Sequence, residues 1–323
     1  MLFGSRSTPE KVPHVRFVCD TPNWAYDVVS KNLKAQLDPY YNIDIIYQTD
    51  DTFKQQTEEH ADLWVFHHVK TAELYPKEQS VIKLAGFRSL DPFLKEDGTY
   101  NTRLGATLEG RSVVALNEGL LDIANQHSDN VAFITNGLDL THFTNVTKRK
   151  VKQVPRRKRW TVGFVANIAR AQNIHYKGYS YTVIACDEMD LRLKACSFHA
   201  ALQKPYFTYD MMPSYYNKVQ VLVHPSVQEG SCSAIMEALA CGVPVVTTRT
   251  GYHGEVLEHM KNVIFIERSV DEIKDALNFL IENPYKYIRI GHAGMDYAKE
   301  HHDITKVAQQ WKVVIDKALG LDV

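Results

Sequence analysis

The sequence predicts an α/β protein made of two halves, each a doubly wound parallel sheet. Short β-branched runs alternate with amphipathic stretches through both halves, which is the pattern of strand–helix–strand units. A basic, acid-free segment containing a proline separates them. A length of 323 residues suits two domains or one large α/β unit.

In the first half, residues 14–19 (HVRFVC) read as a strand. Ala25, Val28, Val29, Leu33 and Leu37 follow at helical spacing over residues 23–37. Residues 43–47 (IDIIY) and 63–67 (LWVFH) read as strands, with a polar helix over 52–60 between them. Residues 112–116 (SVVAL) and 131–134 (VAFI) read as later strands, joined by a helix over 120–127. Asp20-Thr21-Pro22-Asn23-Trp24 follows the first strand, and Trp24 is expected in the core.

The pattern then restarts. Residues 160–165 (WTVGFV), 181–185 (YTVIA), 191–196 (LRLKAC) and 219–224 (VQVLVH) read as strands. A small-residue helix is expected over 233–241 and a strand over 243–247 (VPVVT). Ser269-Val-Asp-Glu272 is a capping box for a helix with Ile273, Ala276, Leu277, Leu280 and Ile281 on its apolar stripe, ended by Pro284. A last helix starts near Asp303, with Val307, Trp311, Val314, Ile315 and Ala318 on one face. The expected layout is a first domain over 1–147, a basic linker over 148–160, a second domain over 161–302, and a terminal helix over 303–323 packing back on the first domain. No internal repeat is visible.

Composition narrows the class. With 45% hydrophobic and 23% charged residues the chain is not of the disordered type. Sixteen glycines and five cysteines exclude collagen-like and disulfide-scaffold classes. The formal net charge of −1 is misleading, because eight basic residues fall between Lys148 and Arg159 and leave an acidic body. No run of about 18 apolar residues suggests a membrane span, and no apolar leader core is found near the start. A cytoplasmic protein is expected, with the linker as a route to a membrane surface. An odd cysteine count without CxxC predicts free thiols. The pairs His67-His68 and His301-His302 lack partners at ligand spacing, so neither a metal nor a cofactor is expected.

Several nucleotide and hydrolase signatures are absent. There is no GxG, no GxxxxGK[ST], no GxSxG and no DxD. The informative stretch is residues 223–255, VHPSVQEGSCSAIMEALACGVPVVTTRTGYHGE. A strand ends at His224-Pro225, a polar turn follows, and a helix begins near Cys232. Such a turn presents backbone N–H groups and a helix N-terminus at the carboxyl end of a parallel strand, which suits a phosphate. Glu229 lies in the turn. Glu237 lies a turn into the helix among Ala234, Ile235, Met236, Ala238, Leu239 and Ala240, where a carboxylate needs a specific partner such as a pair of vicinal hydroxyls.

These residues resemble the C-terminal signature of family-4 retaining glycosyltransferases, PSxxEGxxxxxxEAxACGxPVVxTxxGxxxE. Every fixed position is present, from Pro225-Ser226 through Glu229-Gly230, Glu237-Ala238 and Ala240-Cys241-Gly242 to Gly251 and Glu255. Residues 134–143 (ITNGLDLTHF), 212–226 (MPSYYNKVQVLVHPS) and Tyr176-Lys177-Gly178 resemble further family motifs. The resemblance covers about residues 134–318.

It implies the GT-B fold, two Rossmann-like domains facing each other across a cleft, with an N-terminal acceptor domain and a C-terminal nucleotide-sugar domain. By position, Glu229 would contact the transferred sugar and Glu237 the ribose. Gly230, Ser231, Cys232 and Ser233 would hold the donor phosphate, and Lys177 would neutralise the diphosphate. Ala166-Asn167 stands where Gly-Arg is usual, and Arg170 is the nearest substitute for that arginine. The family's cleft histidine is offered by His67 or His68, with His68 preferred as the residue further past the strand.

The implied reaction moves a sugar from a nucleotide-diphosphate sugar to an acceptor hydroxyl with retention, without a metal. No second carboxylate is placed as a nucleophile, unlike the two-carboxylate glycosidases. The linker, Lys148 to Arg159, is either an exposed hinge or a contact for an anionic acceptor, a modified nucleic acid or a membrane-linked glycan. A nucleotide-sugar epimerase or phosphorylase on the same fold, and a non-catalytic nucleotide-sugar binding module, are the rival functions.

Overall fold

The computed structural model describes residues 12–67, 69–73, 75–85, 90, 93–144, 160–168, 171–196, 198–199, 204–205 and 207–321. The linker cations, Lys148 to Arg159, lie outside the described residues.

The first half runs β1 (His14–Cys19), α1 (Ala25–Leu37), β2 (Asn42–Tyr47), α2 (Phe53–Gln56), β3 (Leu63–Phe66), α3 (Val69–Ala72), β4 (Ser80–Leu84), α4 (Thr102–Leu108), β5 (Ser112–Ala115), α5 (Glu118–Asn125) and β6 (Val131–Phe133). Its strands form a parallel sheet in the order β2-β1-β3-β4-β5-β6. The second half runs β7 (Thr161–Val165), α6 (Ala171–Tyr176), α7 (Tyr179–Glu188), β8 (Arg192–Cys196), β9 (Phe198–His199), β10 (Lys204–Pro205), α8 (Met212–Tyr216), β11 (Val221–His224), α9 (Ser233–Ala240), β12 (Val245–Thr247), α10 (Gly251–Val256), β13 (Ile264–Phe265), α11 (Val270–Glu282), α12 (Pro284–His301) and α13 (Ile304–Leu319). Its main sheet is parallel in the order β13-β12-β11-β7-β8.

Most strands lie close to their expected places. They are wholly buried at β3, β4, β5 and β11, as parallel strands covered on both faces must be. Ser269 caps α11 through its hydroxyl, which accepts from the Glu272 N–H at 3.2 Å. Pro284 is the first residue of α12, where its missing N–H costs nothing.

One expected strand is a helix. Residues 181–185 fall inside α7, which begins after Gly178 at φ +75°. Thr182, Ala185 and Cys186 are buried while Val183 and Ile184 are exposed, the alternation of a helix and not of a strand. A five-residue apolar run carries too little periodicity to separate the two. The helix expected over 52–60 shortens to α2. β4 was not read from the sequence; its SVIKL run carries Lys83, a charge that masks a buried strand.

The last helix belongs physically to the first half. Ile304, Val307, Ala308, Trp311 and Ile315 of α13 join the core built by Val15, Phe17, Leu33 and Val65. Tyr41 donates to Asp316 Oδ1 at 2.6 Å. Asp303 caps α13 by accepting from the Thr305 N–H at 2.9 Å. The chain therefore crosses between halves at His302–Asp303. The crossing is tied to the end of the first half by Leu138 N–H to His302 O, at 2.7 Å.

Trp311→Ala removes a side chain that is 1% exposed and packs beside Phe17 at 6.5 Å between ring centroids. A loss of about 3–5 kcal/mol is expected from large-to-small core replacement. It should show as a lower urea midpoint, whereas an unchanged midpoint would mean that α13 does not share the core of the first half.

Candidate active site

The site is assembled at the carboxyl ends of the second-half strands. β11 ends at His224, and the turn from Pro225 to Cys232 carries the chain into α9. Cys232 is the N-cap of α9 with extended backbone; its side chain makes no capping bond, and its carbonyl takes the Ile235 N–H at 3.1 Å. Behind the turn sits Gly251 at φ +56°. A Cβ there would lie 2.5 Å from the carbonyl oxygens of Glu229 and Gly230, so only glycine lets α10 approach.

Glu229 is the centre of this turn. Its Oε1 accepts from Lys177 Nζ at 2.5 Å and from His224 Nε2 at 2.8 Å. The three side chains are 11%, 22% and 2% exposed. Burial pushes the Glu229 carboxyl up, but the Lys177 charge and the His224 hydrogen bond outweigh it and hold the group well below the ordinary carboxylate range. Burial likewise pushes Lys177 down, and Glu229 more than reverses this. Burial would also lower His224; the Cys232 sulfur, 3.4 Å away, and Glu229 instead push it up to about 9. His224 was not singled out from the sequence. Its place two residues before a Ser in an HPS run carries no signal until the turn folds back.

Glu237 is 8% exposed in α9, and Tyr216 donates to its Oε2 at 2.8 Å. Burial dominates here and pushes the carboxyl up to about 7. Together with Ser233 it lines a cavity of about 290 Å³ between the two halves. Asn23, Trp24, Ala25 and Val28 line the opposite wall from the first half, and Val165, Ala166, Asn167, Cys196, Phe207, Tyr209 and Met212 complete it. Trp24 is thus half-buried at the cleft, not in the core as the sequence suggested. The Lys177–Glu229 pair does not line this cavity; the two parts of the site are joined through the Gly230–Ser233 turn.

First-half residues hold that turn. Asn117 Nδ2 donates to Gly230 O at 3.3 Å, Asn136 Nδ2 to Ser231 O at 3.2 Å, and the Thr135 and Ser231 hydroxyls lie 3.1 Å apart. Asn136 Oδ1 in turn accepts from the buried Lys83 Nζ at 2.6 Å. Burial lowers Lys83 to about 7. His67, one of the two histidine candidates, is fully buried, bonded through Nε2 to Ser30 Oγ at 2.7 Å, and stacked on Tyr26. His68 and Arg170 lie outside the described residues.

Among the described residues, His224 Nε2, a Glu229 oxygen and Cys232 Sγ lie within 4.8 Å of one another and are the set that could meet at a metal. The Lys177 ammonium already supplies a cation to that carboxylate. All five cysteines are free and buried.

Comparison with solved structures decides the architecture. Sucrose-phosphate synthase from Thermosynechococcus elongatus superposes with a TM-score of 0.73 at 11% identity, over 95% of this chain and 99% of that one. The fold is GT-B. HepE from Anabaena, in complex with UDP and glucose, gives 0.68 at 15% identity over 94% and 99%. The catalytic domain of starch synthase IV from Arabidopsis thaliana, bound to ADP and acarbose, gives 0.66 at 10% over 96% and 99%. Within this GT-B chain, residues 198–297 match the family model of glycosyl transferases group 1. An uncharacterised glycosyltransferase of Methanocaldococcus jannaschii is 30% identical over 94 residues, 29% of this chain and 27% of that protein. Another, from Haemophilus influenzae, is 27% identical over 103 residues, 31% and 29% of the two lengths. These matches span less than a third of either relative.

Glu237 supplies a test of the site's electrostatics. Its folded pKa lies above the ordinary 4.5, so the ligand-free fold loses stability as pH rises from there to about 7. Glu237→Gln should therefore stabilise the ligand-free chain at pH 8 by about 3 kcal/mol and leave it little changed at pH 4. Thermal unfolding at the two pH values measures this; an equal effect at both would show that the buried charge is not the cause.

Proposed function

We propose that the chain is a glycosyltransferase that moves a sugar from a nucleoside-diphosphate sugar to an acceptor hydroxyl with retention of configuration. The observation that carries this reading is Glu229, set in the turn that opens α9 at the carboxyl end of β11 and paired there with Lys177. The HepE structures containing UDP and UDP-glucose make uridine nucleotides the first donors to try.

On this reading Glu237 accepts hydrogen bonds from ribose hydroxyls in the cavity, and the ligand supplies the partners that its buried carboxylate lacks. Gly230, Ser231, Cys232 and Ser233 receive the diphosphate at the helix N-terminus. Lys177 stabilises charge that develops on the leaving diphosphate as the glycosidic bond breaks. Arg170 joins Lys177 in neutralising that negative charge, and His68 meets the sugar from the first half. Glu229, engaged by two donors on one oxygen, is suited to orient sugar hydroxyls and not to attack the anomeric carbon. The reaction then proceeds on one face, with the leaving phosphate taking the acceptor proton. No residue of this scheme calls for a metal.

A UDP or UDP-glucose complex should raise the melting temperature, since a ligand at a hundred times Kd contributes about 2.7 kcal/mol. Lys177→Ala and Glu229→Ala should each cost about a hundredfold or more in turnover. NMR of the product should show the donor's anomeric configuration. Unaltered turnover in Lys177→Ala, or an inverted product, would overturn the mechanism.

The eight cations between Lys148 and Arg159 favour an anionic acceptor, a modified nucleic acid or a lipid-linked glycan on an anionic membrane to which a cytoplasmic enzyme binds peripherally. No helix among the described residues is long and apolar enough to cross a membrane. Binding to DNA or to phosphatidylserine vesicles should weaken steeply with salt and fall further when the arginines at 156, 157 and 159 are replaced by glutamine. Binding to neither would reduce the linker to a hinge.

A further inference from the structure

The proposed function leaves the buried imidazole of His224 without a task. Its ring stacks on Phe164 at 6.3 Å and 26° and its Nε2 meets Glu229 Oε1 at 2.8 Å, while its backbone carbonyl accepts from Thr247 Oγ1 at 2.7 Å. It is the last residue of β11, a rigid element, whereas Glu229 sits on the turn that follows. Lys177 reaches the same oxygen from the segment before α7. Glu229 Oε2 makes no hydrogen bond among the described residues. A flexible lysine alone would let the carboxylate rotate about its own axis. A second donor fixed to the sheet removes that freedom and leaves Oε2 as the available acceptor.

We propose that His224 is the positioning residue for Glu229, clamping Oε1 against the sheet together with Lys177 so that Oε2 alone faces the bound sugar. This rests on the donor reading of the site. The groups facing the ring are Glu229 on the turn, Cys232 at the N-cap of α9, Lys177 through Glu229, and His253 of α10, near enough for the two imidazoles to sense each other's charge. The clamp needs only that Nε2 carry its hydrogen. The other ring nitrogen, Nδ1, is buried without a hydrogen-bond partner among the described residues, so the Nε2–H donor to Oε1 is kept in the neutral ring as well as the charged one.

The test uses the full chain labelled with 15N-histidine. One imidazole should show a hydrogen on Nε2 bonded to a carboxylate, and its signal should vanish in His224→Gln. Glu229→Gln should shift that Nε2 signal, because a neutral amide replaces the carboxylate acceptor. An Nε2 without a hydrogen, or an Nε2 signal unmoved by Glu229→Gln, overturns the proposal whatever the donor is. If Glu229→Gln does not fold, the Lys177→Met chain serves: removing the rival donor to Oε1 should strengthen the His224 bond and move the Nε2 signal, and no change counts against the clamp.

With UDP-glucose as the probe, His224→Gln should lower kcat about tenfold or more with KM within about threefold. Wild-type kcat in a folded His224→Gln chain, or a loss that falls on KM alone, points to a merely structural histidine and overturns the proposal. Failure of the wild type to bind UDP or turn over UDP-glucose bears on the donor reading, and the NMR measurement still decides the clamp.

Discussion

A carboxylate taken out of water must be paired, and Glu229 meets that requirement on a turn between a strand and a helix. Its side chain is 11% exposed, and two donors converge on one of its oxygens. Removing both donors would leave an uncompensated buried charge, which costs far more than the pairing contributes. Much of the surrounding structure follows from this need. Gly178, at φ +75°, has no room for a Cβ, which would collide with the Pro225 carbonyl oxygen at the start of the turn. Gly251 must lack a side chain so that α10 can press on the carbonyls of the turn.

The turn also belongs to both halves of the molecule. Its carbonyls are taken by Asn117 and Asn136 of the first half and by the Tyr252 N–H of α10. Asn136 lies next to the crossing at His302, whose Nδ1 meets Asn136 O at 3.0 Å, and it accepts from Lys83 in the first sheet. One asparagine thus connects the sheet of the first half, the return crossing of the chain and the turn that carries Glu229.

Glu237 shows the opposite balance. Among the described residues its hydrogen-bond partner is the neutral Tyr216, and it lies in an apolar helix beside an open cavity. A buried carboxyl so poorly satisfied lowers the stability of the empty protein, and such groups are kept where a ligand completes them. Its strain and the ease of Glu229 are two answers to the same problem, one awaiting a partner and one already supplied with two.

The sequence by itself determined the alternation of strands and helices, the two-sheet architecture and the turn with its two glutamates. Those features are local: strand burial, a capping serine at 269 and a proline opening α12 each act over a few residues. The spacing of Glu229 and Glu237 across an N-cap is equally local, so the turn was readable without knowing what lies around it. Tertiary structure decided the rest. Whether residues 181–185 coil or extend depended on α11 lying beside them, and five apolar residues cannot report that. The exposure of Trp24 at the cleft, the burial of His67 and Lys83, and the meeting of His224 with Glu229 and Lys177 all depend on contacts between segments distant in sequence. Lys177 and Glu229 are 52 positions apart, and only closure of the sheet brings an ammonium within hydrogen-bonding distance of a carboxylate.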